Sequence, residues 1–113
     1  MSTPTPPLQI STRSRGPWTV VQAAGDLDLA TAPDLAATAS DAALEMGSSV
    51  ALDLAAIRFI DSSGLRTLLE LRQSDSMRVV LVDPSSAVRD LLRLTMMSDA
   101  FETIESVDDL DTI

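Results

Sequence analysis

Asp61-Ser62-Ser63-Gly64 is the stretch of this sequence best equipped for chemistry. A serine hydroxyl can attack a substrate, accept a phosphoryl group or cap a helix, and its neighbours decide which. Nucleophilic attack needs a base, and the chain has neither histidine nor lysine to serve as one. The string matches only the latter half of a Gly-x-Ser-x-Gly elbow, and there is no Gly-Lys-Ser/Thr phosphate loop. A second candidate, Gly25-Asp26-Leu27-Asp28, carries two carboxylates but no third ligand at metal spacing. It reads as a solvated turn. Cysteine is absent, so there are no disulfides and no thiolate metal sites. No cofactor, no metal and no catalytic residue is expected. A helix cap accounts for one small polar residue; three in a row before a glycine point further, to a hydroxyl displayed for modification.

These residues stand at a junction. Val50, Leu52 and Leu54 alternate with Ala51 and Asp53, which predicts a strand over Ser49–Leu54. Leu65, Leu68 and Leu69 recur on one helical face, with Arg66, Glu70 and Arg72 left for water. The first N–H groups of a helix lack intrahelical partners and lie at the positive end of its dipole. A phosphate on Ser62 is therefore expected to rest on those donors without disturbing the fold.

The rest of the chain supplies the frame. Leu8–Thr12 and Trp18–Ala24 read as a hairpin across Arg13-Ser14-Arg15-Gly16-Pro17, with Trp18 in the core or at a sheet end. Thr31 before Ala32-Pro33-Asp34 gives a capping-box-like helix start. Leu35, Ala39, Ala42, Ala43 and Met46 mark that helix's inner face, and Gly47 ends it. Gln73–Ser76 connect to a strand over Met77–Val82, apolar enough to be buried on both faces. Asp83-Pro84-Ser85-Ser86 opens a third helix with Val88, Leu91, Leu92 and Thr95 inward; Phe101–Ile104 is a last edge strand and Ser106–Ile113 a short acidic helix. The pattern predicts an α/β domain with a mixed sheet over residues 8–113, preceded by a mobile tail, Met1–Pro7.

Composition narrows the function. With 45% hydrophobic residues the chain can build a core, and few aromatics make that core aliphatic. A net charge of −9 without a basic stripe argues against nucleic acid and against anionic membrane surfaces. No apolar run approaches the ~20 residues of a membrane span and the N-terminus is no secretory signal, so a cytoplasmic protein is expected.

Leu52-Asp53-Leu54 followed by Phe59-Ile60-Asp61-Ser62-Ser63-Gly64-Leu65 resembles the signature of the anti-sigma factor antagonists, the stand-alone STAS domains of bacteria. Gly25-Asp26-Leu27-Asp28, Val79-Val80-Leu81-Val82, Pro84, Val88-Arg89 and Phe101 fall in the family's order, so the resemblance runs from about Leu8 to Leu110. It implies the STAS fold, a small mixed sheet with helices packed mainly on one face. It implies partner switching: the unphosphorylated protein binds an anti-sigma factor that is a serine kinase of the histidine-kinase-like ATPase type, freeing a sigma factor. Phosphorylation ends binding, and a serine phosphatase resets the system. Ser62 matches the phosphorylated serine, with Asp28, Asp61, Ser62, Ser63, Gly64 and Leu65 at the partner surface and Asp28 orienting the hydroxyl or meeting the kinase. The implied state is a monomer or weak dimer. A STAS scaffold that is never phosphorylated, or an accessory subunit of a transporter or signalling complex, is the competing reading. Family members often carry a glycine that stops the helix near the Thr95–Met96 position; Met96-Met97 here remove that stop signal, and serve as core filler or as a partner-facing patch. The C-terminal helix is short relative to the family.

Overall fold

The computed structural model describes residues 7–47 and 49–113, with only the backbone described at Met46. The expected tail thus lies outside the described residues except at Pro7, whose carbonyl accepts the Asp26 N–H at 2.7 Å. The inward position expected for the Met46 side chain also falls outside them.

Five strands form one sheet in the order β1-β2-β3-β4-β5: Leu8–Arg15, Trp18–Leu27, Ser49–Ile60, Arg78–Val82 and Glu102–Ile104. β1 and β2 are antiparallel; every later pair is parallel. The hairpin is tighter than its sequence implies, because Arg15 pairs with Trp18 and leaves only Gly16-Pro17 as the loop. Gly16 takes φ +57 at the first central position, which a two-residue primed turn requires. Helices α1 (Ala32–Met46), α2 (Ser62–Gln73) and α3 (Ser86–Leu94) form the parallel crossovers.

Strand pleating divides the core. Leu27, Leu52, Leu54 and Leu81 face Leu35, Leu68 and Val88 of the three helices. Trp18, Val20, Ala51, Val80 and Val82 point the other way and are covered by Leu110 from a 3-10 helix, Val107–Thr112. The β4 residues alternate between the two clusters, as a strand buried on both faces must. The helices therefore lie on one face of a small mixed sheet.

The short C-terminal segment is firmly docked. Leu110 is buried, worth about 1.5–3 kcal/mol relative to exposure. Arg15 holds Asp108 and Asp111, each at 2.9 Å. The hydrogen bond from Arg15 draws the Asp111 carboxyl below its ordinary range, and the same bond raises the guanidinium. At the sheet end, the Arg78 guanidinium lies 5.1 Å from the centroid of the Trp18 ring and reaches Glu102 at 2.8 Å.

Four expectations need correction. Gly25, Asp26 and Leu27, expected in a solvated turn, are the last residues of β2, paired with Ile57, Phe59 and Ile60, and Leu27 is buried. β3 runs to Ile60 rather than Leu54, because two register shifts insert extra residues and change the inward spacing from Leu52–Leu54 to Leu54–Ile57–Ile60. Thr95 is exposed: it is the C-cap of α3, and its hydroxyl donates to Leu91 O at 2.7 Å. The missing glycine does not prevent a helix stop there. Met96 adopts φ +58, its N–H donates to Arg93 O and that of Met97 to Leu92 O, forming a Schellman motif with methionine at the glycine position.

Candidate phosphoacceptor site

β4 pairs with β3 only as far as Asp53, whereas β2 stays paired with β3 to Leu27–Ile60. The tips of β2 and β3 thus carry the junction, and Asp61 N–H donates to Leu27 O at 3.3 Å, tying the two signature stretches together. Asp61 is extended and its Oδ1 accepts from Ser63 N (2.9 Å) and Gly64 N (3.1 Å), so the aspartate is the N-cap of α2. Its carbonyl accepts from Leu65 N.

With the cap supplied by aspartate, the serines are released from that task. Ser62 is the first helical residue and exposed, and its hydroxyl makes no hydrogen bond among the described residues. Ser63 is half-buried, and Gly64 and Leu65 are buried. A Cβ on Gly64 would stand 2.6 Å from Leu27 O and 2.8 Å from Ile60 Cγ1. Glycine here lets α2 press onto the strand tips. The cap also changes the phosphate expectation: Asp61 already occupies the Ser63 and Gly64 N–H groups. Those two donors are therefore not free to hold a phosphate on Ser62.

Asp28 begins the segment that leads into α1, next to the Leu27–Asp61 contact. Its Oδ1 accepts from Ala30 N (3.0 Å), Thr31 N (3.1 Å) and Thr31 Oγ1 (3.2 Å). Thr31 Oγ1 also donates to Asp26 O at 2.7 Å and accepts from Asp28 N. The capping box expected at Thr31 is absent, because its hydroxyl serves the preceding turn and Asp28 caps the segment instead. Thr31 is thus buried and braces the turn that holds Asp28, rather than starting the helix as its place before Ala32-Pro33 suggests.

Two exposed apolar side chains flank this end, Leu29 at 76% and Phe59 at 51% exposure. Asp26 pairs with Phe59 across the strands, Asp28 precedes Leu29 and Asp61 follows β3, with Arg58 3.4 Å from Asp26. The site is acidic with two apolar projections.

Comparison with known proteins agrees with the fold. The STAS domain family matches residues 9–110, nearly the whole chain. The chain belongs to the STAS domain family. An anti-sigma factor antagonist from Mycobacterium paratuberculosis has a similar structure, with TM-score 0.80 and 23% identity over 93% of this chain and 92% of that one. A putative anti-sigma factor antagonist from Thermotoga maritima gives TM-score 0.76 and 19% identity, covering 90% and 91%. The anti-sigma factor antagonist SpoIIAA in its unphosphorylated form gives 0.65 and 19%, covering 94% and 99%. No curated protein sequence matches. In this STAS domain the signature residues converge: Asp28, Asp61, Ser62 and Ser63 reach the surface at the β2–β3 tips, with Gly64 and Leu65 beneath them.

Elsewhere, a groove of about 330 Å³ between α1 and α2 is lined by alanines and hydroxyl residues, by Leu44, Leu71 and Met77, and by one carboxylate, Glu70. No group of three or more potential metal ligands occurs among the described residues, and none of their helices is long and apolar enough to cross a membrane.

Proposed function

We propose that this STAS domain is an anti-sigma factor antagonist acting by partner switching, with Ser62 as the phosphoacceptor. The observation that carries the reading is the division of labour at α2: Asp61 caps the helix, and the Ser62 hydroxyl stays exposed without a partner among the described residues. Ser86, the first residue of α3, is likewise exposed and unbonded, and Ser62 is chosen over it by its place in the Asp61-Ser62-Ser63-Gly64 stretch at the β2–β3 tips. Similarity in fold to anti-sigma factor antagonists supports the general role.

In the unphosphorylated state the β2–β3 tips present Leu29 and Phe59 inside an acidic rim. The partner suited to this surface has an apolar recess edged by basic side chains. It is an anti-sigma factor with serine kinase activity of the histidine-kinase-like ATPase type, and its capture frees a sigma factor in the cytoplasm. Phosphorylation adds about −1.5 to −2 charges at the centre of this contact. Bulk and desolvation cost then weaken the complex, and each ~1.4 kcal/mol lost is a factor of ten. A serine phosphatase restores binding. Asp28, Asp61, Ser62 and Ser63 contact the partner; Gly64 and Leu65 shape the surface from below. The domain contributes a binding surface and a phosphoacceptor, and no catalysis.

Calorimetric titration of the cognate anti-sigma kinase into two variants tests the reading. Ser62→Ala should bind as the wild type does, and Ser62→Asp at least about tenfold more weakly. Equal affinities would refute the charge switch.

A further inference from the structure

We infer that the groove between α1 and α2 is a binding site for a small amine, with the ammonium held between Thr67 and Glu70 and the apolar body laid along α1 against Leu44. The inference does not rest on the role assigned to Ser62. The groove follows from residue size. Ala36, Ser40 and Ala43 recur at helical spacing on the α1 wall, and side chains this short leave space between the two helices. Thr67, Glu70 and Leu71 make the facing wall on α2. At about 330 Å³ the space lies at the lower end of small-ligand pockets.

Thr67 marks the groove as more than a gap in packing. The residue is only 8% exposed, yet its hydroxyl makes no hydrogen bond among the described residues. A helical threonine commonly settles its hydroxyl on the carbonyl one turn back, as Thr38 does on Asp34 O at 2.9 Å and Thr95 on Leu91 O at 2.7 Å. Thr67 makes no such bond to Ser63. No described side-chain oxygen is both sealed from water and unpartnered, so the Thr67 hydroxyl opens to the groove that its residue lines. Leu44 is the second feature that packing within the chain leaves unexplained, an apolar side chain 84% exposed at the same groove. A ligand with a polar head and an apolar body answers both.

Charge selects the head group. Glu70 is the one charged side chain lining the groove among the described residues. Its only ion pair among them is with Arg66, one turn back on α2, at 4.0 Å and with both side chains exposed. So loose a pair leaves the carboxylate with acceptor capacity for a second cation. Glu70 follows Thr67 by three residues, which puts the two on one helical face, so a single ammonium can donate to both. The hydroxyls of Ser74 and Ser76, also at the groove, bond to one another at 2.7 Å and bring no charge. An anionic ligand would meet Glu70 and a chain of net charge −9. A bare cation would leave Leu44 in water. An amine with an apolar body meets neither objection.

Amide NMR titration of the full chain with phenethylamine, up to about 10 mM, covers the affinities open to so small a ligand. Phenethyl alcohol and hydrocinnamate serve as its neutral and anionic counterparts. Phenethylamine should give saturable shifts at Ala36, Ala43, Leu44, Thr67 and Leu71 and bind about tenfold more tightly than the alcohol, with hydrocinnamate weaker still. Glu70→Gln should abolish the advantage of the amine and leave the alcohol unchanged. Thr67→Val, which exchanges the hydroxyl for a methyl of similar size, should weaken the amine about fivefold, and Thr67→Ser should restore most of that loss. Recovery in the serine variant separates a lost contact from a damaged fold. Absence of saturable shifts at the groove would overturn the inference. So would equal affinities for amine and alcohol in the wild type, an amine preference that survives Glu70→Gln, or a Thr67→Val variant that binds as the wild type does.

Discussion

Two helices of this domain begin with an aspartate and a pair of serines, Asp61-Ser62-Ser63 at α2 and Asp83-Pro84-Ser85-Ser86 at α3, and they use them differently. At α3 a serine is the cap: Ser85 Oγ accepts from Val88 N at 3.4 Å, while Asp83 sits in the turn with φ +45 and its N–H on Ile104 O. At α2 the aspartate is the cap, accepting two N–H groups at 2.9 and 3.1 Å. The third helical residue differs as well. In α3 it is Val88, buried in the core; in α2 it is Gly64, where no side chain fits between the helix and the tips of β2 and β3. Both helices leave an exposed serine at their first residue, Ser62 and Ser86, with no hydrogen bond from its hydroxyl among the described residues; they differ in the cap and in the joint beneath, a buried valine in one and a glycine against the strand tips in the other.

Substitutions along these two starts can break or sharpen the contrast. The largest effect is expected from Gly64→Ala, whose methyl would overlap Leu27 O and Ile60; about 1–3 kcal/mol of overpacking destabilisation should appear in urea unfolding. A neutral outcome would mean that α2 can lift from the strand tips. Next comes Asp61→Ala, expected to cost about 0.5–2 kcal/mol, with Ser85→Ala at the lower end of that range because it loses a single long bond. If Ser85→Ala proved the more damaging of the two, the assignment of caps would be reversed. Ser62→Ala should stay within about 0.5 kcal/mol of wild type, as an exposed hydroxyl without a structural partner predicts. Asp28→Ala should lower stability as well, because Asp28 holds the turn into α1, so any slowing of phosphorylation must be judged against that loss.

The smallest effect lies at the opposite face. Because Arg15 holds the Asp111 carboxyl below its ordinary value, their interaction contributes fully above the unfolded carboxyl pKa, about 3.9, and fades as pH falls through the folded one. Both groups are exposed, so the contribution is modest. Trp18 fluorescence below about pH 4 should report a loosening of the segment carrying Leu110, and Arg15→Ala should show less acid dependence than wild type. Identical profiles would assign the docking to Leu110 alone.

Much of the fold was legible because its elements obey simple periods. The alternating Val79-Val80-Leu81-Val82 run and the spacing of Leu65 and Leu68 each name one strand or helix face. The far half of β3 was hidden because its two register shifts replace period two with steps of three, and no local pattern announces a bulge. The site was legible as a motif, since Asp-Ser-Ser-Gly is contiguous. The use of each residue was not. Whether Asp61 or a serine caps α2, and whether Thr31 caps α1 or braces Asp28, depends on backbone angles that sequence does not spell out. Nothing in the local pattern marks Leu29 or Phe59 as exposed; only the fold puts both in water.

Phosphosite mass spectrometry after incubation with ATP and the cognate kinase tests the central claim most directly. One phosphoryl group should appear on Ser62 in the wild type and none in Ser62→Ala, with Ser63, Ser85 and Ser86 unmodified. Labelling of Ser63, or of Ser85 at the helix start where serine is the cap, would contradict the assignment of the free hydroxyl at α2 as the switch.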